Sequence, residues 1–292
     1  MAILYLGLPL GALCLGEKGH PIVGALVGHT DAPGMRRLRQ RLGPRAVPIL
    51  GRPDLGDPSI AHLIESLEPE VILSWFWPRL IPPEILQIPK RGAFGVHPSL
   101  LPRWRGRDPT FWAIRNGDRE TGVTLHRLAP GYDKGAIIEQ IRLPIDPNDT
   151  GWTLARRLDR PGLSLLTDCA RRLRHGESLE GYAQNESLVT EAPQPSDDDL
   201  TIDWNGAADD IVRLVRAASP WPGARARLGE TAVEVLAASE AGAPAALVAG
   251  EAVANAQGVV VRAKDSGVLV TCVRAEDGSL HRGRAIAELP VF

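Results

Sequence analysis

One histidine and one aspartate stand in glycine- and proline-rich segments where a stiff loop could hold each side chain in place. His97 lies in residues 95–106, GVHPSLLPRWRG, directly before Pro98, and Asp133 lies in residues 130–135, PGYDKG. An imidazole and a carboxylate on rigid loops are the groups that general acid–base catalysis needs. A lone histidine is more often structural, and an aspartate between glycines usually forms a turn. At this point both interpretations stay open.

The composition is that of a soluble globular protein. The chain has 292 residues, 44% of them hydrophobic and 23% charged, and a net charge of −2. It can therefore form one large domain or two ordinary ones, and it offers no strong overall field for nucleic acid. No apolar run approaches the roughly 20 residues that cross a bilayer, so no membrane partner is expected. The apolar start at residues 1–7 is typical of a buried strand rather than a signal peptide.

Cysteine usage bears on the compartment and on metal binding. Cys14, Cys169 and Cys272 are far apart and form no CxxC pair. This pattern argues against a disulfide framework and against a zinc site, so we expect no bound metal and a cytoplasmic location. The segment GLPLG at residues 7–11 lacks the GxGxxG spacing, which argues against a dinucleotide site.

The first half of the chain alternates apolar runs with amphipathic segments. Strands are predicted at residues 3–7, 21–28, 47–50, 71–77 and 93–96, and helices at 34–42 and 59–67. This alternation predicts an α/β fold, with a Rossmann-like, mainly parallel sheet. In such sheets the sites lie beyond the carboxyl ends of the strands, and His97 directly follows a predicted strand.

The second half predicts further elements and a domain boundary. Expected are a helix at 109–116, strands at 122–127 and 136–143, a helix from Asp149 or Thr150 to about Leu158 that Pro161 breaks, and a new helix at 163–174. We assign residues 1–180 to an N-terminal domain, 181–200 to a linker and 201–292 to a smaller OB-like β-barrel domain. That domain is predicted to hold a helix at 207–218 and strands at 224–228, 232–236, 258–263, 267–272 and 285–289, with a flexible loop or strand pair at 237–254.

Taken together, these motifs resemble the 10-formyltetrahydrofolate-dependent formyltransferases. That family includes methionyl-tRNA formyltransferase, glycinamide ribonucleotide transformylase and the sugar-nucleotide N-formyltransferases. Its signature is Asn-x-His-x-Ser-Leu-Leu-Pro with a basic residue and Gly, then Asn-Gly-Asp-x-x-Thr-Gly-Val-Thr, then Gly-x-Asp-x-Gly. This chain carries the matching segments at residues 97–106, 116–124 and 131–135. Residues 202–204 and 220–224 resemble the start of the family's C-terminal OB-like domain.

The resemblance implies a set of site residues. His97 would transfer protons and stabilise negative charge on the formyl oxygen, and Asp133 would hold His97 or a water. The formyl donor would be 10-formyltetrahydrofolate, bound by Arg79, Leu80, Ile81, Leu128, Ala129 and Tyr132. The acceptor substrate would contact Ser99, Leu101 and Arg105.

Gly95 departs from the family pattern, because the family carries an asparagine two residues before the histidine. That asparagine donates a hydrogen bond to the developing oxyanion, and losing one such donor typically costs about 10²–10³ in rate. Three interpretations follow. The enzyme is active with a water or another donor, such as Asn116, in the space; the space admits a bulkier acceptor or altered one-carbon chemistry; or the protein binds folate without formylating anything.

The acceptor predicted from the sequence is the amine of a small molecule, an amino sugar or a specialised metabolite. The tRNA enzymes carry a longer, Lys-rich insertion after the second strand, whereas residues 29–48 here are compact and contain no lysine. Phosphate backbones need several cationic contacts for useful affinity. The arginines in that segment leave methionyl-tRNA as the alternative acceptor, and a folate-binding protein without transferase activity as the alternative function. A homodimer is compatible with the sequence.

Overall fold

The computed structural model describes residues 1–289, which fall into two compact units. The first unit comprises Met1–Arg107, Thr121–Leu143 and Arg157–Glu191. The second comprises Asp108–Glu120, Pro144–Arg156 and, among the described residues, 192–289. The chain passes from the first unit to the second for the last time inside the predicted linker at 181–200. Two earlier segments also have most of their contacts within the second unit.

A seven-stranded sheet forms the middle of the first unit. The strands up to residue 192 are β1 (Ile3–Gly7), β2 (Ile22–Val27), β3 (Ile49–Gly51), β4 (Val71–Trp75), β5 (Ala93–His97), β6 (Arg105–Gly106), β7 (Glu120–Arg127), β8 (Ile137–Pro144) and β9 (Glu191–Ala192). The sheet order is β3-β2-β1-β4-β5-β7-β8, and β6 pairs separately with β9. Every residue of β1, β4 and β5 is buried, which explains why these strands are almost continuously apolar in sequence.

The strand directions decide what meets His97 at the end of β5. β1 to β5 pair in parallel, and β5 then pairs antiparallel with β7. In this register His97 lies opposite Thr124 and Gly95 lies opposite His126. The predicted α/β fold with a mainly parallel sheet is confirmed.

Residues 1–289 contain seven α-helices: α1 (Pro9–Glu17), α2 (Met35–Leu42), α3 (Pro58–Ser66), α4 (Pro83–Gln87), α5 (Pro109–Arg115), α6 (Gly151–Arg174) and α7 (Ala208–Ala218). The sequence did not predict α1 or α4. In α1 nearly every residue is apolar and most of the helix is buried, so it has no polar face to produce a helical period. The α4 helix has only five residues, too few for a period to be recognised.

The predicted break at Pro161 is wrong, because α6 is one helix of 24 residues with Pro161 inside it. Proline in a helix interior costs roughly 3 kcal/mol, since it removes a hydrogen bond and clashes with the preceding turn. Leu158, Leu165 and Leu166 are almost completely buried on the two sides of the proline. Each such side chain contributes about 1.5–3 kcal/mol by burial, which offsets the cost.

The second unit contains α5, α7 and an antiparallel sheet, and it confirms the predicted smaller C-terminal β domain. Its strands are β10 (Ala224–Leu228), β11 (Thr231–Ala241), β12 (Ala252–Asn255), β13 (Gly258–Arg262), β14 (Gly267–Ala275) and β15 (Leu280–Arg282). The order is β10-β11-β14-β13-β12, with β15 beside β14. The segment predicted as a loop or strand pair holds the end of β11 and most of β12.

The strand predicted at 285–289 is wrong, because Gly283–Glu288 form a 3₁₀ helix. Ile286 and Leu289 are the buried residues of this segment, and they stand three positions apart. That spacing matches the three residues per turn of a 3₁₀ helix and not the alternation of a strand.

Within residues 1–289, no helix is long and apolar enough to cross a membrane. Cys14, Cys169 and Cys272 are unpaired, and burial raises the pKa of the Cys169 thiol to about 12.

The close approach of β7 and β8 gives the first prediction. A Cβ atom at Gly122 would lie 2.2 Å from the backbone oxygen of Ile141, so Gly122→Ala must push the two strands apart. We expect Gly122→Ala to lower the free energy of unfolding by about 3 kcal/mol, the upper end of overpacking costs, in urea denaturation.

The control is the same substitution at Gly43, where no atom lies within 4 Å of the added Cβ. Its backbone is α-helical, with φ −54° and ψ −45°, which Pro44 disfavours for a residue with a Cβ, so the usual gain from Gly→Ala is offset and we expect Gly43→Ala to change the free energy of unfolding by less than about 1 kcal/mol. Equal effects of the two substitutions would contradict this description of the sheet.

Candidate active site

His97 ends β5 with both ring nitrogens engaged. Its Nε2 lies 2.8 Å from the carbonyl oxygen of Trp104, and its Nδ1 lies 3.4 Å from Oδ2 of Asp133. A carbonyl oxygen can only accept a hydrogen bond, so Nε2 carries a proton and Nδ1 is the nitrogen that faces the carboxylate. The structure therefore brings together the two residues that the sequence predicted as catalytic.

The loop after His97 is fixed from inside by hydrogen bonds. Thr124 accepts from the backbone N–H of Leu101 at 3.1 Å and donates to the carbonyl of Ser99 at 2.6 Å. The Ser99 hydroxyl in turn donates to the carbonyl of Arg103 at 2.7 Å. Thr124 is completely buried and lies opposite His97 on β7. The loop is thus held in one conformation by the neighbouring strand.

Asp133 lies in the turn between β7 and β8 with a left-handed backbone, φ +52°. Its Oδ2 accepts from the backbone N–H of Gly106 at 3.0 Å. Its Oδ1 lies 3.6 Å from Nε2 of a second histidine, His126. Asp133 is 18% exposed, compared with 6% for His97 and 2% for His126, so the carboxylate is the group of this cluster that solvent reaches most easily.

Sequence reasoning missed His126. Its Nδ1 donates to the carbonyl oxygen of Arg127 at 2.9 Å. Burial lowers the pKa of the imidazole, and the nearby carboxylate of Asp133 acts in the opposite direction but does not cancel the shift. A signal was present, because a titratable residue inside the apolar strand TGVTLHR needs a partner if it is buried. The partner could not be identified without the register of β5 and β7.

A buried side-chain network braces the Asp133 turn. Gln184 donates from Nε2 to the carbonyls of Asp133 at 2.6 Å and Gly135 at 2.7 Å. Its Oε1 accepts from Nε and Nη2 of Arg105 at 3.0 and 2.8 Å. Arg105 also pairs with Glu186 at 2.8 Å, and this hydrogen bond lowers the pKa of the Glu186 carboxyl. Gln184 and Glu186 fall in the segment that the sequence predicted as a linker.

The three residues predicted to contact the acceptor are all buried. Ser99 and Leu101 support the His97 loop, and Arg105 is bonded to Gln184 and Glu186. Their direct contact with a substrate stays a prediction.

The residues predicted to bind folate follow two strands that lie on either side of β5 in the sheet. Arg79, Leu80 and Ile81 follow β4, and Leu128, Ala129 and Tyr132 follow β7. Ile81 and Leu128 pack against the same core cluster. Leu80 and Tyr132 are instead 49% and 43% exposed, which makes them available to an apolar ligand.

Two buried polar atoms beside these residues fit a ligand that carries acceptor groups. Within residues 1–289, Trp77 Nε1 and Arg79 Nη2 have no hydrogen-bond partner, and the Arg79 guanidinium lies 4.8 Å from the centre of the Trp77 ring. Buried donors without partners are rare in proteins, so these two suit a ligand such as folate, whose pteridine and carboxylates supply acceptors. The same part of the chain contains no group of three or more His, Cys, Asp or Glu side chains that could hold a metal ion.

The space beside Gly95 is filled. A Cβ atom there would lie 2.7 Å from Cδ2 of Leu128 and 3.3 Å from Nε2 of His126. Asn116, considered from the sequence as a replacement donor, donates its amide to Asp118 at 2.9 Å.

Sequence comparison matches two segments of the chain. Residues 29–169 match the model of the formyl transferase family, and residues 195–288 match that of the formyl transferase C-terminal domain. Together the two matches cover well over half of the chain.

Solved structures share the fold at low sequence identity. HypX from Aquifex aeolicus, crystallised with tetrahydrofolic acid, matches with a TM-score of 0.69 and 18% identity, over 99% of this chain and 46% of that chain. The present chain therefore spans about half the length of HypX. An N-formyltransferase from Helicobacter canadensis, in complex with folinic acid and dTDP-3-aminofucose, matches with a TM-score of 0.69 and 15% identity, over 92% and 98% of the two chains. Glycinamide ribonucleotide transformylase 1 from Symbiobacterium toebii matches with a TM-score of 0.53 and 20% identity, over 63% and 94%.

The network around Gln184 predicts a stability difference. We expect Arg105→Met to lower the free energy of unfolding by about 1–3 kcal/mol, because it leaves the buried Gln184 oxygen without a donor. Glu186→Gln is the control, since Glu186 is 71% exposed and the variant should lose less than about 1 kcal/mol. Urea denaturation of both variants measures the difference, and equal losses would show that Gln184 does not depend on Arg105.

The burial of His126 predicts a pH dependence of stability. Because its pKa in the folded chain lies below the ordinary value of 6.5, the unfolded chain binds a proton at pH values where the folded chain does not. The free energy of unfolding should therefore fall as the pH is lowered through 6.5, and it should fall less in His126→Gln. Urea denaturation between about pH 7.5 and about pH 5.5 measures this. His62→Gln, at an exposed position on α3, should keep the wild-type slope.

Proposed function

Because this chain belongs to the formyl transferase family, we propose that it transfers a formyl group from 10-formyltetrahydrofolate to the amine of a small molecule. The observation that carries this proposal is the contact between His97 and Asp133 at the end of β5, where the family signature predicts the catalytic pair. The orphaned donors of Trp77 and Arg79 and the exposed Leu80 and Tyr132 support a folate donor bound beside residues 77–81 and 128–132.

His97 and Asp133 have different roles in the proposed transfer. When bound, the donor supplies an electrophilic formyl carbon to the acceptor amine. His97 and Asp133 hold a proton in the gap between Nδ1 and Oδ2. During transfer the amine loses one proton and the donor nitrogen gains one, so a group that both accepts and returns a proton is needed. The exposure of Asp133 makes the carboxylate the point of exchange with the substrates.

A small acceptor fits this chain better than tRNA. The segment 29–48 is short and without lysine, and on α2 Arg37 pairs with Glu17 at 2.7 Å. The Helicobacter enzyme that matches nearly end to end was crystallised with an amino-sugar nucleotide, which supports an amino sugar as the first acceptor to test. Methionyl-tRNA is the second candidate. Homodimer formation and a cytoplasmic location remain predictions.

Transfer is tested by incubating the protein with 10-formyltetrahydrofolate and a panel of amines, including dTDP-3-aminofucose and methionyl-tRNA, and following release of tetrahydrofolate. We expect turnover with a small amine. His97→Ala and Asp133→Asn should each lower kcat at least about 10²-fold, as expected for loss of a proton-transfer group. Asp31→Asn, at an exposed position, is the control and should keep full activity.

Near-wild-type rates in His97→Ala or Asp133→Asn would refute the assigned roles. Tight folate binding without turnover of any acceptor would favour the alternative function, a folate-binding protein that does not formylate.

Donor binding gives a separate prediction. We expect Leu80→Ser and Tyr132→Ala each to weaken tetrahydrofolate binding about tenfold, because each loses roughly 1.4 kcal/mol of apolar contact. Leu10→Ser is the matched control, since Leu10 is 42% exposed on α1 and should leave the Kd unchanged. Titration calorimetry measures the three Kd values, and equal values for all variants would place the folate elsewhere.

A further inference from the structure

Gly95 and His126 are directly opposite each other across β5 and β7, so their side-chain positions lie on the same face of the sheet. A Cβ atom at Gly95 would lie 2.7 Å from Cδ2 of Leu128 and 3.3 Å from Nε2 of His126, so a longer side chain would have to displace the leucine tip and the imidazole ring. His97 and Thr124 form the next pair on this face, and the two histidines are therefore diagonal neighbours. Their ring centres are 6.5 Å apart and the rings are nearly perpendicular, at 86°. Glycine at position 95 leaves the room that the second imidazole occupies.

The hydrogen-bond partners fix where protons can be on this cluster. The outer nitrogens, Nε2 of His97 and Nδ1 of His126, both donate to backbone carbonyls and keep their protons. The inner nitrogens, Nδ1 of His97 and Nε2 of His126, face the two oxygens of Asp133 at 3.4 and 3.6 Å. A nitrogen lone pair and a carboxylate oxygen repel each other, so each gap is favourable only when it holds a proton. The cluster thus has two places for labile protons.

We propose that His126 is a third proton-handling residue of this site, and that it holds a second proton while the formyl group is transferred. The inference rests on the proposed function. As the acceptor nitrogen uses its lone pair to bond the formyl carbon, its N–H proton passes through the Asp133 carboxylate to Nε2 of His126. The bond between the formyl carbon and the donor nitrogen then breaks, and its electron pair stays on that nitrogen. The proton between His97 and Asp133 moves to this nitrogen, and the cluster is left with the one labile proton with which it began.

The charge of the intermediate state explains how the site works with glycine at position 95. With both gaps protonated, two imidazolium rings and one carboxylate give the cluster a net charge of +1, which is complementary to the negative charge that develops on the formyl oxygen. Burial opposes this charge on His126 most strongly, Asp133 favours it, and His97 and Arg105 also oppose it, while the carbonyl of Arg127 accepts from the ring in both states. The positive charge is therefore transient and appears only when the acceptor proton arrives.

The first experiment compares His126→Gln with wild type in single-turnover transfer from 10-formyltetrahydrofolate, with the amine that turns over and with water as the acceptor. Glutamine has an amide that can donate a hydrogen bond, but it cannot take up a proton near neutral pH. We expect the rate to fall about 10²-fold and the KM for 10-formyltetrahydrofolate to change less than about threefold. The wild-type rate should decline at acid pH, where His126 is already protonated, and this decline should be smaller in His126→Gln. His62→Gln should behave as wild type.

The second experiment introduces asparagine at position 95 in two backgrounds, with His126 present and with His126 replaced by alanine. Gly95→Asn in the wild-type background should lower the rate about tenfold or more, because the new side chain displaces the His126 ring. In the His126→Ala background the new side chain no longer meets the ring and has to displace only the tip of Leu128, so its amide should raise the rate about tenfold, as a replacement donor would. Gly95→Asn is thus expected to lower the rate when His126 is present and to raise it when alanine replaces His126.

These results separate the inference from the proposed function. Loss of transfer in His97→Ala and Asp133→Asn with a wild-type rate in His126→Gln would overturn the inference and leave the function intact. A decrease caused by Gly95→Asn in both backgrounds would also overturn it. Wild-type protein that transfers to no acceptor, water included, would refute the proposed function, and the inference would fall with it.

Discussion

The carboxylate of Asp133 lies between two buried imidazoles, and much of the first unit is arranged to keep it there. A largely buried carboxylate needs partners on the sides that water does not reach, because burying an unpaired charge costs several kcal/mol. His97 and His126 face its two oxygens, and the backbone of Gly106 donates to it. The turn that carries it has a left-handed backbone at Asp133, and Gln184 holds that turn through two carbonyls.

The sheet supplies the other half of this constraint. Because β5 runs antiparallel to β7, residues two apart on each strand meet on one face, and both histidines lie on that face. The parallel strands β1 to β5 bury the rest of β5 and fix its register, so the spacing of the site depends on core packing far from it. The region predicted to bind folate contacts the same part of β5, because Leu128 packs against the core cluster and also fills the space beside Gly95.

The sequence predicted what depends on local pattern. The strands that end at Gly7, Trp75 and His97 follow from apolar runs, and the catalytic pair follows from two loop motifs that resemble a known family. What it missed depends on distant contacts. His126 becomes part of the site only through the register of β5 and β7, and Gln184 only because its segment returns to the Asp133 turn. The helix that continues through Pro161 is stabilised by burial on both sides of the proline. The helix-breaking preference of proline, on which the sequence prediction depended, does not include this burial.

The central claim is that Asp133 shares labile protons with both histidines, and the imidazole ¹⁵N spectrum of the resting protein across pH tests it most directly. We expect His126 to be the Nδ1–H tautomer near neutral pH, because Nδ1 donates to the carbonyl of Arg127, and its Nε2 to take up a proton only as the pH is lowered below 6.5. Asp133→Asn should move this protonation of His126 to still lower pH, because it removes the charge that favours the imidazolium. An Nε2–H tautomer at His126 near neutral pH, or an Nε2 resonance that Asp133→Asn leaves unchanged across pH, would contradict the account.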